Sequence, residues 1–127
     1  MAERGPHGRE TRTLCIVGAG AEAADGIAVA RRMGLHVLAS DADPEAPGFA
    51  LAHDRILAST YDVEATVAAV SDYHRSVRRV DGVLCIASDV PKTVAHVARA
   101  VGAPGISPES AHLASDKLAM KERFAAR

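Results

Sequence analysis

At 127 residues with a formal net charge of −1, the chain has the length of one domain and lacks the basic excess that nucleic-acid binding requires. Almost half of the residues are apolar but only 3% are aromatic, which suits helices packed closely on a sheet better than a wide aromatic-lined pocket. No apolar run reaches membrane-spanning length and no signal-peptide core opens the chain, so neither a membrane nor secretion is implied and a cytoplasmic location is expected.

Met1 to Arg12 is polar and charged and carries Gly5, Pro6 and Gly8, and it is expected to be a disordered lead-in. Leu14-Cys15-Ile16-Val17 is a short continuous apolar run, the pattern of a strand buried on both faces of a parallel sheet. Gly18-Ala19-Gly20 then turns the chain sharply into a helix containing Ala23, Ala24, Ile27, Ala28 and Ala30. Gly26 inside that helix costs about 1 kcal/mol against Ala, so a close helix–sheet approach is expected there. Gly34 supplies the C-terminal stop, and His36-Val37-Leu38-Ala39 begins a second strand that ends at Asp41.

The acidic, proline-bearing stretch from Asp41 to Gly48 predicts a loop, followed by one helical turn from Phe49 to His53 and a third strand at Arg55-Ile56-Leu57-Ala58. Asp62 is placed to cap a helix whose apolar positions are Val63, Val67, Val70 and Val77, with Arg75, Arg78 and Arg79 at its end as a solvated basic terminus. Gly82 to Ala87 predicts a fourth strand. Ser88-Asp89-Val90-Pro91 places a capping residue and then an early-helix proline, and the helix it opens buries Val90, Val94, Val97, Ala98 and Val101 and stops at Gly102. Ala103 to Ile106 is a minimal fifth strand, and short helices start at Ser107-Pro108 and Ser115-Asp116. Strictly alternating strands and helices predict a Rossmann-like α/β fold: an open parallel sheet of about five strands, order 3-2-1-4-5, with helices on both faces.

In such a sheet the ligand crevice lies outside the carboxyl ends of the strands, where the strand order reverses. Gly18, Ala19, Gly20 and Ala21, with Ser88 and Asp89 after the fourth strand, are therefore the candidate substrate-binding residues. Free N–H groups and the positive end of the helix dipole at the glycine turn suit a phosphate or carboxylate. Gly18-x-Gly20-x-x-Ala23 also fits the dinucleotide fingerprint in its G-x-G-x-x-A form, with Asp41 where a ribose-binding acid would lie. No catalytic or metal-ligating residue is assigned. The six His are scattered without ligand spacing, no activated-nucleophile motif appears, and Cys15 and Cys85 are read as reduced core thiols.

From Leu14 to Arg127 the chain resembles the N-terminal domain that precedes the ATP-grasp fold in carboxylate–amine ligases and carboxylases. The resemblance runs through the Val17-Gly18-Ala19-Gly20 turn, Gly34-Leu35-His36-Val37, Asp41-Ala42-Asp43-Pro44 with Ala46-Pro47, and Ala52-His53-Asp54. It continues through Gly102-Ala103-Pro104-Gly105, Ile106-Ser107-Pro108 and Ser115-Asp116-Lys117. It implies a pre-ATP-grasp domain over 13–114 and, over 115–127, the start of an ATP-grasp domain whose remainder would lie beyond Arg127. In that family the first domain helps to hold a small carboxylate- or phosphate-bearing substrate and is not catalytically complete. By position Lys117 would contact ATP, while Mg2+ would be held by acidic residues of the absent domain. Ala21-Glu22-Ala23 departs from the Gln-Leu that follows the turn in purine-pathway members, which leaves the substrate open. The alternatives are a nicotinamide- or nucleotide-binding domain of a dehydrogenase or ligand sensor using Asp41, and an interaction module that has lost its ligand and forms a homodimer.

Overall fold

The computed structural model describes residues 11–86 and 90–104. β1 (Thr13–Val17), β2 (His36–Asp41), β3 (Asp54–Leu57) and β4 (Gly82–Leu84) form one parallel sheet in the order β3-β2-β1-β4. This is the expected open sheet with four strands among the described residues. The expected fifth strand falls largely outside them, as do Ser88, Asp89, Lys117 and everything from residue 105 onward.

The central strands β1 and β2 are buried on two sides because alternate residues feed separate cores. Cys15, Val17 and Leu38 point toward α2 (Val63–Ser76) and α3 (Pro91–Val101), where they meet Val70, Tyr73, Val97, Ala98 and Val101. Ile16, Val37 and Ala39 point to the other face and meet Ile27 and Ala30 of α1 (Ala21–Arg32), with Phe49. Burial of the Cys15 thiol pushes its pKa up to about 12, so it stays protonated and acts as a small core hydrophobe. Cys85 is half-buried and packs against the same core.

Local signals account for most of the boundaries. α1 ends in a Schellman motif: the Gly34 N–H donates to Arg31 O at 2.9 Å and the Leu35 N–H to Ala30 O at 3.1 Å. Gly34 sits at φ 86°, one residue beyond the C-cap Met33, where a side chain would be strained. The Asp62 carboxylate caps α2 by accepting the Ala65 N–H at 3.0 Å. α3 stops at Gly102 as its pattern predicts. A Cβ on Gly26 would fall 2.2 Å from Cδ1 of Ile86, so the glycine inside α1 lets the segment after β4 pack against it.

Four expectations need correction. The fourth strand ends at Leu84, three residues early, because its ladder on β1 ends at the Ile16–Leu84 pair, just before β1 gives way to the glycine turn. The N-cap of α3 is Val90, after Ser88-Asp89. The helical turn predicted over 49–53 is a 3₁₀ turn at Pro47–Ala50, because Gly48 and Phe49 are the residues drawn inward. In α2 the buried stripe is Thr66, Val70 and Tyr73, whereas Val77 is 62% exposed at the helix end. Thr66 is buried because its hydroxyl finds the Ser59 carbonyl at 2.9 Å.

The lead-in also joins the fold earlier than expected, since the Arg12 carbonyl accepts the His36 N–H at 2.9 Å. Among the described residues no helix is long and apolar enough to cross a membrane.

Candidate functional site

The order β3-β2-β1-β4 puts the loops that leave β1 and β4 on either side of the point where strand order reverses. The first is the glycine turn. Gly18 adopts φ 103°, open to glycine at little cost, and its N–H donates to Ser40 O at 2.7 Å. The Ala19 N–H donates to Asp41 Oδ2 at 2.9 Å, and the Ala19 carbonyl accepts the Gly48 N–H at 2.7 Å. Ala19 is fully buried, whereas Gly20 and Ala21 are exposed. Gly20 is the N-cap of α1 and brings no side chain to the helix's first N–H groups, which leaves the positive end of the dipole open to solvent. Glu22, exposed in the first turn, supplies the only acidic side chain there. An anion at this mouth would gain about 0.3–1 kcal/mol from the dipole.

Asp41 stands at the carboxyl end of β2, and both of its oxygens are engaged: Oδ2 with the Ala19 N–H and Oδ1 with the Asp43 N–H at 3.0 Å. Asp43 repeats the motif, accepting the Glu45 N–H at 2.9 Å. The i, i+2 spacing of Asp41 and Asp43 is an Asx-turn signal readable in sequence, whereas the bond to Ala19, 22 positions away, is not. Gly48 likewise escapes sequence reading, although a Cβ on it would lie 2.7 Å from the Ala19 carbonyl oxygen. Ser40, fully buried beside the turn, has a hydroxyl with no hydrogen-bond partner.

A second polar constellation forms at the opposite, amino-terminal rim. His36 and His53 stack with ring centroids 4.4 Å apart, and His36 Nε2 lies 2.8 Å from Asp54 Oδ2. The Tyr73 hydroxyl donates to the same oxygen at 2.6 Å, and the Val37 N–H donates to His53 Nδ1 at 2.9 Å. Burial alone would raise the pKa of Asp54. The bonds from Tyr73 and His36, with the two imidazoles nearby, more than offset that and hold the carboxyl below its ordinary value. Burial, reinforced by the Asp54 carboxylate, pushes the Tyr73 phenol well above its ordinary range. No spacing rule joins residues 36, 53, 54 and 73, because only the parallel register of β2 and β3 and the seat of α2 bring them together.

Close by, Arg78 leaves the end of α2 to reach Thr13 Oγ1 at 3.1 Å and the Thr11 carbonyl at 3.3 Å, so it braces β1 as well as complementing the helix dipole. Among the described residues, no group of three or more His, Cys, Asp or Glu could hold a metal ion.

Solved structures share this fold. Phosphoribosylglycinamide synthetase from Anaerococcus prevotii matches with a TM-score of 0.74 and 23% identity, over 92% of this chain and 29% of that one. N5-carboxyaminoimidazole ribonucleotide synthetase from Thermotoga maritima matches with a TM-score of 0.68 and 21% identity, over 91% and 31%. L-amino acid ligase from Bacillus licheniformis matches with a TM-score of 0.70 and 19% identity, over 91% and 30%. The chain thus spans less than a third of the length of each. No protein-family model and no curated protein matches it. At these identities the likeness is one of fold alone, an open parallel α/β sheet in the order β3-β2-β1-β4 with flanking helices.

Proposed function

We propose that this chain is the substrate-side domain of an ATP-dependent carboxylate–amine or related ligase and is not catalytically complete alone. The observation that carries this reading is the match, across nine-tenths of the chain, to three enzymes that are each a synthetase or ligase. In this reading the mouth of α1 at Gly20 and Ala21 receives a carboxylate or phosphate group of a small substrate, and the inner turn at Gly18 and Ala19 holds that mouth in place. N–H donors and a helix dipole stabilise the anion without a mobile side chain, so the substrate is oriented at little entropic cost.

Ser88 and Asp89 would complete the crevice from the β4 side. Lys117 would meet ATP as a point charge. ATP would activate the acid as an acyl phosphate with release of ADP, and an amine would then attack the acyl carbon and expel inorganic phosphate. Mg2+ belongs to the ATP-binding part in this reading, and no step here depends on a metal held by the present residues. The dinucleotide alternative draws no support from Asp41, because both carboxylate oxygens already accept backbone N–H groups instead of standing open to a ribose.

The test is an ADP-release assay on the gene product that carries this domain, with ATP, Mg2+, ammonium and a panel of small carboxylic and phosphorylated acids. The expected result is ADP formation that depends on one acid class, with Lys117→Met raising KM for ATP about tenfold, the order of one charged contact. No ADP with any acid, alongside micromolar NADH binding, would overturn the reading.

A further inference from the structure

We infer that Asp41 is a positioning and specificity-determining residue of the glycine turn: with Gly48 it clamps the backbone of Ala19 at both its N–H and its carbonyl, and its carboxylate occupies the inner donor of the turn as a built-in anion. The clamp stands on geometry alone, while its consequence for ligands rests on the anion-holding role proposed above. The Ala19 N–H is held by Asp41 Oδ2 at 2.9 Å and the Ala19 carbonyl by the Gly48 N–H at 2.7 Å. The preceding N–H, of Gly18, is spent on the Ser40 carbonyl. Two consecutive donors that a G-x-G turn could offer to an anion are therefore consumed inside the protein.

Asp41 cannot swing away cheaply, because its other oxygen anchors the Asx turn at Asp43. Gly48 is equally confined, since a Cβ there would meet both the Ala19 carbonyl oxygen and Ile27 Cδ1 at 2.7 Å. The turn after β1, the connection between β2 and β3, and the buried face of α1 are thus tied at one residue, Ala19. A fixed negative charge beneath the turn leaves room for one compact anionic group at the exposed mouth and opposes a second one laid across Ala19. The favoured ligand class carries a single carboxylate or phosphate monoester, and a pyrophosphate is discriminated against.

Amide hydrogen exchange by NMR, combined with titration of inorganic phosphate and of pyrophosphate, tests this on the wild type, Asp41→Asn and Gly48→Ala. Asparagine keeps one acceptor but no charge. The expected result for Asp41→Asn is at least tenfold faster exchange of the Ala19 amide and a rise of at least tenfold in the pyrophosphate-over-phosphate preference. Gly48→Ala, which displaces the Ala19 carbonyl without changing charge, should speed the same exchange and leave the preference unchanged. Unchanged Ala19 exchange in both variants would overturn the clamp. An equal change of preference in both would overturn the role of the charge. Faster exchange with neither ion binding to any of the three proteins would support the clamp and overturn the anion-holding role instead.

Discussion

At the amino-terminal rim of the sheet, side chains satisfy one another: Asp54 accepts from Tyr73 and faces His36, Arg78 holds Thr13, and the Asp81 carboxylate accepts the Thr13 N–H at 2.8 Å. At the carboxyl-terminal rim, the polar groups are mostly backbone, the N-cap of α1 brings no side chain, and Gly20 and Ala21 stand exposed. One rim is closed by charge-assisted bonds that hold strands and α2 together. The other leaves the first N–H groups of α1 without a side-chain partner, and the Asp41 and Asp43 carboxylates hold its loop in shape. Stability is concentrated at the first rim, and the proposed ligand mouth lies at the second. The rim rich in His, Asp and Tyr looks more like a catalytic cluster in composition, yet its groups are already mutually engaged and it sits at the end of the strands away from the crevice.

The largest expected effect comes from breaking the closed rim. Asp54→Ala removes the acceptor of both Tyr73 and His36 and strands a part-buried phenol, which should lower unfolding free energy by about 2–3 kcal/mol in urea titration. The same residue sharpens the comparison through pH. Its carboxyl is held below its ordinary value in the folded chain, so its contribution is fully present above the unfolded pKa, about 3.9, and is lost as pH falls through the lower folded value. The urea midpoint of the wild type should therefore fall more steeply below about pH 4 than that of Asp54→Asn, in which the group cannot titrate. Parallel curves would remove Asp54 as the linkage site.

A smaller effect is expected from Asp62→Ala, which removes the capping bond to the Ala65 N–H and should cost about 1 kcal/mol by the same titration. The smallest should have the opposite sign. Ser40 buries a hydroxyl with no partner beside the glycine turn, so Ser40→Ala should be neutral or stabilising by up to about 1 kcal/mol. A clear loss of stability would mean that the hydroxyl is satisfied in solution, and the carboxyl-terminal rim would then be more closed than its backbone pattern indicates.

Patterns local in sequence announced the parallel sheet, its order β3-β2-β1-β4, the glycine turn, the Asp62 cap and the stops at Gly34 and Gly102. The turn, the cap and the stops depend on neighbours within one turn of helix, where backbone sterics and short-range bonds act alone, whereas the sheet order follows from right-handed crossovers between alternating strands and helices. The errors fell where a boundary depends on a distant partner. β4 ends with its ladder on β1, and the turn at Pro47–Ala50 starts early because Gly48 docks on Ala19. Within the candidate site, Gly18, Gly20 and Ala21 were legible because a tight turn requires small residues. The engagement of Asp41 with Ala19 and the meeting of His36, His53, Asp54 and Tyr73 were decided only by tertiary structure. These contacts join residues 17 or more positions apart, and a hydrogen bond of that span leaves no periodic trace in the chain, because its geometry exists only after the sheet has set the register.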